Sequence, residues 1–176
     1  MARACELVLL ASVAVLLAGT ATAFTTGSCI KEAEQLVQRL DKQPTLYSDI
    51  STEFKKLIKA VKGGYDVGEF YDSTLLLPTN QAMKAAKVNP TKIKNNEKLY
   101  RIHIFDGQLD VMAVGDVQLT KQPGVSVKVV KLAPRASPMK MGVHLAKSKN
   151  VVPVLAHLHT GTGNCFEAYG IGGVLS

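Results

Sequence analysis

Residues whose types and spacing could do chemistry are few in this chain, and His157 and His159 come first. On a strand, residues two apart face the same side, so both imidazoles could approach one metal ion. Two ligands do not complete a site, and no acid or thiol neighbours them directly, so the pair reads as strand-face histidines beside a turn. His103 ends an apolar helical segment and reads as a hydrogen-bonded core histidine, while His144 is remote from the others in sequence. Gly161-Thr162-Gly163 imitates a phosphate loop, but no lysine follows it and a hairpin turn explains it better. The sequence contains no nucleophile elbow, no His-Glu-X-X-His and no Walker loop. Glycoside hydrolysis needs two carboxyl groups about 5–10 Å apart, and no acid here stands in a motif that singles it out. These readings predict a non-enzymatic protein with no catalytic residues, no metal site and no cofactor.

Charge is the stronger signal. The chain has 176 residues and a formal net charge of +7, with 47% hydrophobic and 20% charged residues, a composition that excludes disorder and coiled coil. No acidic residue lies between Asp116 and Glu167, yet Lys121, Lys128, Lys131, Arg135, Lys140, Lys147 and Lys149 all do. Such a segment is a candidate surface for polyanions, either acidic or sulfated polysaccharide or anionic lipid headgroups. The competing reading is a solvated face whose lysines maintain solubility and blunt exposed strand edges. Nucleic acid is a poor partner, because secretion removes the opportunity and few aromatic residues are interleaved for base stacking.

The expectation of secretion comes from the N-terminus. Arg3 precedes an apolar run from Leu7 to Ala18, and Ala21-Thr22-Ala23 supplies the small residues of a signal-peptidase site. The run is shorter than the roughly 20 residues of a membrane-spanning helix. The C-terminus, Gly172 to Ser176, lacks the hydrophobic tail of a lipid-anchor signal. The expected organisation is therefore a signal peptide at 1–23, a short lead at 24–28 and one domain over 29–176, located outside the cell. Cys5 leaves with the signal, and Cys29 and Cys165, in an oxidising compartment, are expected to pair; two separate buried thiols are the alternative. Asn89-Pro90-Thr91 is blocked as a glycosylation acceptor by its proline.

The elements that must position these residues follow from periodicity. Ile30, Ala33, Leu36, Val37 and Leu40 have helical spacing, and Pro44 ends that helix. A second helix is predicted from about Ser48 to Lys62, with Ile50, Phe54, Leu57, Ile58 and Val61 on one stripe. Lys55, Lys56, Lys59 and Lys62 fall towards its C-terminus, where cations suit the helix dipole. Ser73 to Leu77 reads as a buried strand broken by Pro78, and Thr79 as the N-cap of a brief helix through Ala86. A further helix is predicted from about Thr91 to Phe105, with a turn at Asp106-Gly107. Beyond it the period becomes two: Val125, Val127 and Val129 alternate with polar residues, and Val151–Leu158 and Phe166–Ile171 read as two strands joined by a hairpin. Helices first and strands afterwards give an α+β class.

Three of these segments resemble the fasciclin-type domain family. Thr74-Leu75-Leu76-Leu77-Pro78-Thr79-Asn80-Gln81-Ala82-Met83 is similar to its first signature box, Leu99 to Gly107 to its central segment, and Tyr169 to Leu175 to its closing strand. Thr74, Leu77, Pro78, Thr79, Asn80 and His103 are the residues that carry the signature. Two positions depart from it: Ile102 stands where a tyrosine is usual before the histidine, and Gly172 where an aspartate is usual. The resemblance implies a β-rich wedge or sandwich in the C-terminal half with N-terminal helices packed around it. It also implies cell adhesion, or association with extracellular matrix or cell wall, through an extracellular protein or acidic polysaccharide. The alternative that it brings is a carrier of a small apolar ligand such as a carotenoid, since some algal members bind carotenoids.

Overall fold

The computed structural model of the chain describes residues 29–62, 72–88, 101–109, 114–160 and 165–176. The expected signal peptide at 1–23, the expected lead at 24–28, most of the helix expected from Thr91 and the residues 161–164 of the expected hairpin lie outside the described residues.

Helix α1 covers residues 29–41. Cys29, Leu36, Val37 and Leu40 recur at helical spacing and are buried against the sheet, and Glu32 lies buried among them. Helix α2, Pro44–Lys62, starts earlier than the apolar pattern suggested. Pro44 follows the end of α1 and also opens the next helix, because proline's fixed φ suits the first turn, where its missing N–H has no intrahelical partner. A kink at Tyr47 (φ −135°, ψ 16°) separates this first turn from the main body. Tyr47 and Ile50 are buried, whereas Lys55 and Lys56 are exposed and Lys55 pairs with Asp41 at 2.6 Å. The side chains of Phe54, Leu57, Ile58, Lys59, Val61 and Lys62 lie outside the described residues.

The strands are β1 (Ser73–Pro78), β2 (Ile104–Asp106), β3 (Val117–Leu119), β4 (Ser126–Lys131), β5 (Met141–Leu145), β6 (Val152–His159) and β7 (Phe166–Ile171), with helix α3 (Asn80–Ala85) after β1. They join in one seven-stranded sheet of order β2-β1-β7-β6-β5-β4-β3. Its two ends meet through a bridge between Phe105 and Thr120 and a hydrogen bond from the Lys121 amide to the Ile104 carbonyl (2.8 Å), so the sheet rolls nearly into a barrel. The α+β class therefore holds, but the strands are not confined to the C-terminal half. β1 lies inside the sheet, parallel to the last strand β7 and antiparallel to β2.

The helix expected to reach Phe105 ends sooner: Arg101 is helical, Ile102 and His103 form a turn, and Ile104 begins β2. Ile102 and Phe105 are three apart, which imitates helical spacing, but a turn before a three-residue strand gives the same pattern. Pro78 does not break β1; it is the last strand residue, opposite Ile171.

Alternation sorts the core into two bodies. Leu75, Leu77, Phe166 and Ala168 face the helices, and Leu76, Tyr169 and Ile171 face the interior of the rolled sheet beside Phe105, Val127 and Val129. Strand β6 serves both, with Val154 on the interior side and Leu158 on the helix side. Its register against β7 slips between Val154 and Ala156 and again between His157 and His159. Each slip adds a residue and turns the strand, as bulges do.

Candidate functional site

The cations of the acid-free segment are arranged by β4 and β5. Val127 and Val129 point into the sheet interior, so Lys128 points outward, opposite His144 on β5 and Val117 on β3. Val117 and Leu119 are exposed on that same outer face. The seven candidate residues do not converge on one point. Lys131, Arg135 and Lys140 gather at the β4–β5 connection, and Lys147 and Lys149 occupy the β5–β6 connection beyond the other end of β5. The ends of that five-residue strand are about 14 Å apart. Lys121 is engaged differently, because its ammonium pairs with the Asp106 carboxylate across the seam of the sheet. Among the described residues, no carboxylate pairs with Lys128, Lys131, Arg135, Lys140, Lys147 or Lys149.

The signature residues form structural ties. Thr74 donates its hydroxyl to the Gly107 carbonyl (2.7 Å), fixing the turn after β2, where Gly107 adopts φ +88°. Leu77 is buried, and the Thr79 amide donates to Ile171 of β7 (3.1 Å). Thr79 Oγ1 accepts the Ala82 N–H (3.1 Å), the N-cap bond anticipated from its position. Thr79→Ala should therefore lower unfolding free energy by about 1 kcal/mol in urea titration, with Thr79→Ser retaining most of it; equal losses in both variants would remove the cap from the account. Asn80 donates to the carbonyls of Pro44 and Thr45 and to Ser48 Oγ, holding the kinked first turn of α2 against α3. His103 is buried, and its Nε2 accepts the Leu175 amide (3.0 Å), so it clips the C-terminal segment against the sheet.

The second bulge in β6 separates the two neighbouring histidines. His157 is exposed and stacks on Tyr169 (4.5 Å between centroids, 8° between planes). His159 turns instead to the helix side, 2% exposed, against Phe166 and with Nε2 3.3 Å from Glu32 of α1. The two imidazoles therefore face different surroundings, and no group of three or more potential metal ligands occurs among the described residues. Glu32 escaped the sequence reading because a lone acid on an apolar helix stripe resembles an exposed edge position. Its place three residues after Cys29 and four before Leu36 was the available signal.

Cys29 and Cys165 form a disulfide with Cα atoms 5.3 Å apart, joining α1 to the residue before β7. His159 lies beside this junction. Burial holds its pKa below the ordinary histidine range, opposed by the hydrogen bond and charge of Glu32 and reinforced by Arg39 and His157. In the neutral imidazole Nε2–H donates to Glu32, and Nδ1 is left buried without a partner. A depressed histidine pKa contributes stability that is complete above the unfolded value, about 6.5, and is lost as pH falls through the folded value. Melting temperature should fall on acidification below about pH 6.5, and His159→Gln should flatten that dependence. An unchanged slope in the variant would assign the acid sensitivity to other groups.

No family model matches the sequence, and no curated protein matches it. Among solved structures the chain is similar to a FAS1 domain pair from the insect cell adhesion molecule fasciclin I, with a TM-score of 0.44 and 14% sequence identity. The match covers 69% of this chain and 44% of that chain, so the present chain spans less than half the length of its neighbour. That neighbour comes from the family which the three sequence segments resemble. No helix among the described residues is long and apolar enough to cross a membrane.

Proposed function

We propose that the chain is a secreted, non-enzymatic interaction module of the fasciclin type, working in cell adhesion or in association with extracellular matrix or cell wall. Its ligand is acidic polysaccharide, engaged through the strand-rich half. The observation that carries this reading is the charge of Lys128, Lys131, Arg135, Lys140, Lys147 and Lys149, which no carboxylate among the described residues compensates, in a segment that contains no acid. An extended polyanion has charges to meet both clusters, and field strength rather than a pocket governs such binding. The polar groups that catalysis would recruit are engaged in structure: His103 with the C-terminal segment, His159 with Glu32, and Glu167 with the Tyr169 hydroxyl at 3.0 Å.

The alternative is a carrier that holds a small apolar ligand such as a carotenoid in a pocket between helices and strands. Native mass spectrometry of the protein secreted by its own source separates the readings. The module reading expects the mass of Phe24–Ser176 less two hydrogens, with no adduct. An adduct that leaves on denaturation would overturn it in favour of a carrier.

A further inference from the structure

We infer that the β4–β5 connection, residues 132–140 with the flanking Lys131, is the primary anion-recognition element, a preformed loop that presents Lys131, Arg135 and Lys140 to one anionic stretch of polysaccharide. This rests on the polysaccharide reading above and deepens it, because charge count alone does not distinguish this loop from the rest of the basic half.

Three observations single the loop out. It is fixed before any ligand arrives. Leu132 N–H donates to the Lys140 carbonyl (2.9 Å), closing the neck, while the Ala136 and Ser137 amides bond to Ala133 and the Lys140 amide to Ser137. Ser137 is fully buried, and its hydroxyl donates to the Val154 carbonyl, anchoring the loop on β6. A rigid presentation loses little conformational entropy on binding.

The cations are also close together. Lys131 lies opposite Met141, next to Lys140, and Arg135 is three residues from the closed neck, hence at most about 11 Å from it. That is comparable with the Debye length of about 8 Å at physiological salt, so one anionic segment feels all three. Arg135 adds a planar fork suited to the paired oxygens of a sulfate or carboxylate.

Lys140 provides the third observation, because it adopts φ +55°, a left-handed conformation that costs a lysine energy and a glycine almost none. Lys87 has the same φ but follows helix α3, where helix C-termini ordinarily take that conformation. Lys140 takes it at the close of a different turn, made by its own amide to the Ser137 carbonyl, so the loop backbone fixes where this lysine stands. Lys147 and Lys149 form a pair at the far end of β5, beyond one Debye length.

Matched glycine substitutions give the test. Lys140→Gly and Lys87→Gly each remove one charge and relieve the same strain, so both should hold or raise the melting temperature. Binding to dextran sulfate and to polygalacturonate is titrated in parallel at fixed salt. Lys140→Gly should weaken binding about three- to five-fold and Lys87→Gly less than about 1.5-fold, with the polymer that shows this difference assigning sulfate or carboxylate as the recognised group. The pair Lys131→Gln with Arg135→Gln should lose more affinity than the equally charged change Lys147→Gln with Lys149→Gln.

Equal losses in the matched variants overturn the loop assignment while leaving the polysaccharide reading in place. No binding of either polymer by the unmodified chain overturns that reading, and the loop assignment with it. Preference for phosphatidylserine vesicles over both polymers overturns the assignment in favour of a membrane surface.

Discussion

Replacing Cys29 and Cys165 together by alanine lowers unfolding free energy by about 3–5 kcal/mol, measured in urea against the oxidised protein. The bridge spans 136 residues, nearly the whole domain, so it removes a large part of the freedom of the unfolded chain. In the chain-entropy view a loop of about 100 residues corresponds to about 4.7 kcal/mol, and the small cavity left by two truncated, buried side chains adds to the loss. Position matters as well as loop length. Cys29 lies on α1, whose buried stripe packs on β7, the strand that follows Cys165. Breaking the bridge frees that part of the helix, beside the buried contact between Glu32 and His159. Reduction of the unaltered protein should give a similar loss, with the transition of the α1 face earliest in hydrogen exchange. A loss below about 1 kcal/mol would mean that the unfolded chain is already compact around this junction.

Gly170→Ala is expected to be the most damaging single addition of a methyl group. A Cβ at Gly170 would lie 2.0 Å from Tyr47 Oη and 2.9 Å from its Cζ. Tyr47 is buried at the kink of α2, and the first turn of that helix is held by Asn80, so the ring has no easy retreat. Overpacking of this kind costs about 1–3 kcal/mol and sometimes more, and the upper end applies where the obstacle is a fixed aromatic ring. The check is a double-mutant cycle in thermal or urea unfolding. Tyr47→Phe removes the nearest atom and should recover part of the loss, giving a coupling of about 1 kcal/mol or more. Additive effects would show that the strand, rather than the ring, gives way.

Both sites illustrate what the sequence disclosed and what it withheld. The cysteine pair was legible because the cysteine count and the expected N-terminal signal restricted the options to one bridge or two thiols. Helix α1, strand β1, the Thr79 cap, β4, β6 and β7 were legible because each carries a periodic apolar pattern or a capping residue of its own. The contact between Gly170 and Tyr47 was not, because it joins residues far apart in sequence and neither has an unusual local pattern. Strands β2 and β3 have three residues each, too few to establish a period, and β5 contains Gly142, which dilutes its apolar signal.

The basic segment shows the same division. Its charge and lack of acid are read directly, and the outward placement of Lys128 follows once Val127 and Val129 are taken as inward. Division into two clusters depends on which connection each residue occupies. Pairing of Lys121 with Asp106 depends on closure of the sheet, and the bulge that separates His157 from His159 breaks the alternation that local reading assumes. Local rules work where each residue's environment is set by its neighbours in the chain, and fail where the sheet closes or changes register.

The most direct measurement of the central claim is the affinity of the oxidised chain for dextran sulfate as a function of salt, alongside a variant with Lys128, Lys131 and Arg135 reversed to glutamate. Electrostatic recognition predicts that affinity falls roughly ten-fold or more between about 50 and 200 mM salt, and that the reversed variant binds weakly with a shallower salt dependence. Binding that is insensitive to salt and unaltered by the three reversals would contradict a polyanion-binding role for the strand half.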